Sequence, residues 1–145
     1  MASLPHQPRG WSMALSKAQR AALREKFGGR CAYCGQPLGD RWHADHIEPI
    51  VRNDWYQRAG FSIPPRGPDY PHRDTLENMN PACPPCNIDK HSMSLEDWRG
   101  IIARSNEVLA RDVSTFRRAL RYGLVQLNTK PVLFYFEQLA QKDPS

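Results

Sequence analysis

Two groups of residues in this chain have types and spacing that could do chemistry. The four cysteines fall in pairs, "CAYCG" (Cys31, Cys34) and "CPPCN" (Cys83, Cys86), and the stretch "WHADHIEPI" places His43, Asp45 and His46 within four positions, just before Pro49. A C-x-x-C loop is short enough for both sulfurs to reach one ion. Two such knuckles complete a closed tetrahedron of thiolates around zinc (Zn2+), which would make that ion structural. A thioredoxin-like redox pair is the competing reading, but it calls for a single pair in a βαβ context. The 48 residues between Cys34 and Cys83 exceed the gap of a zinc ribbon. Something is therefore built between the knuckles, and the histidine-rich stretch lies in it. Histidine and aspartate bind metals and move protons, though either alone is more often an ordinary hydrogen-bonding residue.

The elements that must position these groups follow from local pattern. Ser16 with Gln19 forms a capping box for a helix that Gly28-Gly29 stops, with Ala18, Ala22 and Leu23 able to face inward. "RWHADHIEPI" alternates and ends at Pro49, as a strand running into a turn does. The Pro-rich, mixed-charge residues 51–74 read as an irregular insertion with a short helix near "NDWYQRAG". From Asn87 the chain turns helical. Ser94 caps a helix through "LEDWRGIIARSNEVLA", whose apolar positions are Trp98, Ile101, Ile102 and Leu109, and a further helix "STFRRALRYG" is stopped by Gly123. "KPVLFYFEQLA" has the composition of a strand, although Val132, Phe136 and Leu139 also fit one helical face. The expected organisation is a flexible arm (1–15), a zinc-containing domain (16–93) and a helical extension (94–145) packed on it.

Charge narrows the partner. The net charge is +5, and residues 1–30 carry six Lys/Arg against one Glu, whereas residues 31–95 carry six against eight acidic residues. Basic flanks around a locally acidic centre suit a polyanion held outside and a cation held within. No apolar run reaches 18 residues, which excludes a membrane-spanning helix, and the N-terminus lacks the apolar core of a signal peptide. The expected location is the cytoplasm.

If zinc draws the knuckles together, the strand after the first and the helix after the second must approach, setting Asp45 and His46 opposite Asn87 and His91. The order C-x-x-C, Asp-His-Ile-x-Pro, Glu-Asn, C-x-x-C-Asn and Lys-His then resembles the HNH nuclease family in its zinc-stapled form, over about residues 28–92. The resemblance implies an α+β fold: a ββα-metal (HNH/His-Me finger) core stapled by a four-cysteine zinc site, with flanking N- and C-terminal helices. It implies that His46 is the general base, Asp45 a ligand of a catalytic divalent ion, and Asn78 the residue that fixes the loop carrying the base. Asn87 stands where a closing histidine is often found, and His91 matches a position that ligates metal or contacts phosphate. Oxygen ligands favour Mg2+ or Mn2+, and Ni2+ competes if His91 also binds. The stretch between His46 and Asn78 is longer than in compact members of the family.

The implied activity is metal-dependent hydrolysis of DNA phosphodiesters, by nicking or double-strand cleavage, to 5′-phosphate and 3′-hydroxyl ends. Arg41, Arg52, Arg66, Arg73, Lys90, Arg117 and Arg118 are the candidate DNA contacts. Many small proteins of this kind are phage-encoded, which points to the host cytoplasm and to phage packaging proteins as further partners. The chain would act as a monomer or homodimer. The rival readings are a zinc-stapled DNA-binding module without nuclease activity and a zinc adaptor between proteins.

Overall fold

The computed structural model describes residues 14–50 and 70–143. Its elements are α1 (Lys17–Glu25), β1 (His43–His46), β2 (Met79–Ala82), α2 (Pro84–Lys90), α3 (Leu95–Ala103), α4 (Ser105–Asp112), α5 (Ser114–Arg121) and α6 (Tyr135–Lys142). One-turn 3-10 helices at Pro71–Arg73 and Leu76–Asn78 precede β2. This is a mixed helix and antiparallel-sheet architecture, α+β in class. Residues 1–13, the helix expected near 53–60, and Arg52 and Arg66 lie outside the described residues.

The two strands pair antiparallel, with His43 opposite Ala82, Asp45 opposite Asn80 and His46 opposite Met79. The first knuckle extends the sheet through one bond, from Ala32 N to Pro81 O (2.9 Å). Helix α2 follows β2 after a single residue. Cys83 is its N-cap, and Pro84 and Pro85 occupy the first turn, where a missing N–H costs no intrahelical bond. The helix thus starts three residues before Asn87. Ser16 and Gln19 form the capping box of α1 with reciprocal bonds of 3.1 and 2.9 Å. Only Leu23 of that helix is buried; Ala18 and Ala22 are not, because α1 is fastened largely through its arginines. Arg24 donates to the carbonyls of Leu38 and Gly39. Arg20 donates to Trp42 O and lies 4.0 Å over the Trp42 ring. Part of the N-terminal basic charge is thus engaged by backbone carbonyls.

The core gathers Leu23, Cys31, Ala32, Tyr33, Leu38, Trp42, Met79, Ala82, Trp98 and Phe134, with Leu15 packed against it. Tyr33, between the first two cysteines, meets Trp98 and Phe134 edge-on at 5.1 and 5.5 Å. Gly35 closes this knuckle at φ +74°, and a Cβ there would fall 2.9 Å from Tyr135 Cδ2, so both conformation and space require glycine.

Two C-terminal expectations change. The helix expected from Leu95 to Ala110 breaks at Arg104 (φ −88°, ψ 0°), giving α3 and α4; Ile101 and Leu109 are exposed rather than core. Residues 135–142 are helical, not a strand. The strand-like composition reflects aromatic burial: Phe134 is 2% exposed. The first free N–H groups of α6 donate to the knuckle, Tyr135 N to Tyr33 O (3.0 Å) and Phe136 N to Ala32 O (2.9 Å), and Glu137 accepts from Phe134 N (2.9 Å).

Arg99 locks α6 to α3. It donates to Glu137 at 2.9 and 2.5 Å and to Val132 O at 2.6 Å, and stacks over Phe134 at 4.6 Å. The guanidinium holds the Glu137 carboxyl below its ordinary range, against a smaller upward push from burial. A depressed carboxylate stabilises the fold above its unfolded pKa of about 4.3, and that contribution disappears as pH falls through the lower folded value. Both side chains keep about a fifth of their surface in solvent (21% and 24%). Glu137→Gln should therefore cost only about 1 kcal/mol at pH 7. The melting temperatures of the two proteins should converge as pH falls from about 4.3 through the lower folded value; a gap that survives full protonation of the carboxyl would assign the loss to packing instead.

Candidate functional site

The four cysteine sulfurs all lie within 4.8 Å of one another, and Cys34 Sγ is 3.8 Å from Cys83 Sγ. A zinc tetrahedron with ~2.3 Å bonds has sulfur–sulfur edges of about 3.8 Å. Local structure builds this cradle: Cys31 N donates to Gln36 O (2.8 Å), Gly35 N to Cys31 O (3.0 Å), and Cys83 N to Cys31 Sγ (3.4 Å). The Cys86 thiol and backbone N–H groups draw the Cys31 thiol's pKa down, while the same contact and burial push Cys86 up. Sulfurs this close cannot all be thiolates without a cation among them. The cluster could bind a metal such as zinc. Among the described residues it is the one group of three or more His, Cys, Asp or Glu side chains close enough to share an ion.

Beside it lies a buried polar hub. Asp45 and His46, neighbours on β1, reach different partners, as adjacent strand residues do. Asp45 Oδ2 accepts from the Tyr33 hydroxyl (2.5 Å) and pairs with Lys90 Nζ (3.1 Å). Burial pushes the Asp45 carboxyl up, and Lys90 and Tyr33 pull against it. A carboxylate and an ammonium at this distance offset each other's loss of solvation, which neither could do alone. Lys90 Nζ also donates to His46 O (2.7 Å). Lys90, expected to contact DNA, is 0% exposed and offers a phosphate nothing; its place is corrected to this internal ion pair.

His46 turns to the other side, where Nε2 lies 2.8 Å from Asp74 Oδ1. Asn78 fastens the loop after His46: its Oδ1 accepts from Glu48 N (3.0 Å), and its Nδ2 donates to Glu48 O and Arg73 O (both 2.8 Å). Its own carbonyl accepts from Ile47 N (2.8 Å). Asn87 is half-buried on α2. His91 is exposed at the helix end with φ 50°, and its Nδ1 lies 3.0 Å from Ser92 Oγ. His91 N donates to Asn87 O, so the two sit one turn apart.

The candidate DNA contacts do not form one patch of free charge. Arg41 and Arg118 are exposed. Arg73 donates to Pro49 O and stacks on Tyr70, and Arg117 donates to Ala110 O and Arg111 O at the end of α4. Sequence reasoning missed two residues, Asp74 and Tyr33. Tyr33 could have been suspected from its place inside the first C-x-x-C loop, but Asp74 stands in a turn and carries no spacing signal.

A four-cysteine knuckle pair, an Asp-His strand end and an asparagine-fastened loop are thus brought close together in this chain. Over 84 residues, 58% of the chain, it is 25% identical to a protein of Bacillus subtilis (strain 168) named "SPbeta prophage-derived putative HNH endonuclease YoqL". The match covers 33% of that protein's length. No family model matches the chain, and no solved structure matches it. No helix among the described residues is long and apolar enough to cross a membrane.

Proposed function

We propose that the chain is a metal-dependent DNA endonuclease of the HNH type, phage-like in origin, in which β1, β2 and α2 form a ββα-metal unit stapled by zinc. The observation that carries this reading is His46 anchored through Nε2 by Asp74, on a loop held at Glu48 by Asn78. A ring so anchored keeps its other nitrogen, Nδ1, as a base. His46 accepts a proton from water as the water oxygen bonds to phosphorus. The P–O3′ bond breaks, and the 3′ oxygen leaves with a proton from solvent, giving 5′-phosphate and 3′-hydroxyl ends. His46 then releases its proton to solvent.

The donor set fits a hard divalent ion. Asp45 has its Oδ2 bound to Tyr33 and Lys90, so an ion would take Oδ1, together with the Asn87 amide oxygen and, in some states, His91. When bound, Mg2+ or Mn2+ supplies positive charge that stabilises the phosphorane-like transition state. DNA would be held by exposed arginines such as Arg41 and Arg118. One chain carries one such site, so a monomer nicks and a homodimer cuts both strands.

The second reading, a zinc-stapled DNA-binding module, is favoured by one observation: Lys90 already neutralises Asp45, which weakens any ion placed there. Supercoiled plasmid incubated with wild type and His46→Ala, each with EDTA, Mg2+ or Mn2+, separates the two. The nuclease reading expects metal-dependent open circles from wild type and a loss of about 10²–10⁴-fold in the variant at unchanged zinc content. DNA binding by both proteins with cleavage by neither would establish the binding module.

A further inference from the structure

Resting on the nuclease reading, the geometry points to Asp74 as the positioning residue of the base: its carboxylate fixes His46 as the Nε2–H tautomer, leaving Nδ1 to face the attacking water. An ionised carboxylate only accepts hydrogen bonds, so a ring nitrogen 2.8 Å from Asp74 Oδ1 must carry the hydrogen. A neutral imidazole protonated at Nε2 has its lone pair at Nδ1. Both side chains are close to buried (12% and 13% exposed), which shields the bond from competing water.

The carboxylate is itself held in place. Asp74 N donates to Pro71 O (3.1 Å), closing the turn before it, and Asn78 N donates to Thr75 O (3.1 Å), closing the turn after it. Arg73, the preceding residue, is tied through its side chain to Pro49 O (3.1 Å) and through its carbonyl to Asn78 Nδ2 (2.8 Å). The same Asn78 amide grips Glu48, two residues past His46. One side chain therefore sets the spacing between the segment that carries the base and the segment that carries its orienting carboxylate. Lys90 fixes the third point, the carbonyl of His46. With its backbone held on both sides, the ring takes its orientation from Asp74.

The test pairs nitrogen NMR of the His46 ring with single-turnover cleavage of duplex DNA, for wild type, Asp74→Asn and Asp74→Glu in the full chain. Zinc content and melting temperature serve as controls for folding. An asparagine can turn its NH₂ toward Nε2 and so favour the opposite tautomer. Asp74→Asn should then shift the ring from Nε2–H toward Nδ1–H and lower the cleavage rate by about 10²–10⁴-fold, with DNA affinity unchanged. Asp74→Glu should restore the tautomer and part of the rate. A wild-type ring protonated at Nδ1, or an asparagine variant that cleaves at the wild-type rate, would overturn the proposal. Failure of the nuclease reading looks different: wild type then cuts nothing, and the ring spectrum alone still reports whether Asp74 sets the tautomer.

Discussion

A zinc chelator should unfold the centre of this protein, with the far-UV and near-UV circular dichroism signals collapsing together. Cys31 is 0% exposed and belongs to the same buried cluster as Tyr33, Trp98 and Phe134. The two knuckles brace a small sheet of two strands with four residues each. Structural zinc binds such thiolate sets with about 10–16 kcal/mol, as much as the whole stability of an ordinary domain, about 5–15 kcal/mol. Cys31→Ser or Cys86→Ser should act like the chelator. Retention of the wild-type melting temperature in metal-free protein would show that the cysteines are bystanders to folding.

The second large effect belongs to Lys90. Its ammonium sits under Asp45 Oδ2 and the His46 carbonyl with none of its surface in solvent. Lys90→Ala leaves the Asp45 carboxylate buried and without its cation, and breaking one side of such a pair costs about 3–5 kcal/mol. Pairing Lys90→Met with Asp45→Asn removes both charges, so the double variant should be more stable than the sum of the single losses allows. Urea denaturation of wild type, the two single variants and the double variant gives the coupling directly. Were Lys90 instead a DNA contact, its removal would leave stability alone and weaken binding; a flat denaturation midpoint would favour that role.

How much of this was legible in the sequence depends on the range of the interaction involved. The cysteine spacing names its own partner, because two sulfurs three positions apart on a tight loop converge on one ion. The helix caps at Ser16 and Ser94 are settled by neighbours three residues away. Residues 135–142 misled because the aromatic side chains of Phe134 and Phe136 suit a strand or a packed helix end equally well. What decided between them was the Tyr33 and Ala32 carbonyls, far upstream in the chain. Lys90 looked like a phosphate contact for a similar reason. A lysine near a histidine in a basic protein reads as surface charge until the distant Asp45 carboxylate is seen beneath it. Asp74 was invisible, since only the fold brings it to His46.

The backbone bond from Tyr70 N to Ile50 O, 3.2 Å long, draws together the two points between which residues 51–69 run. Ile50 is buried at this clasp, and the Arg73 side chain is bonded to Pro49 O beside it. Together these two bonds form a further fastening, beyond the sheet, between the segment that carries His46 and the segment that carries Asp74 and Asn78.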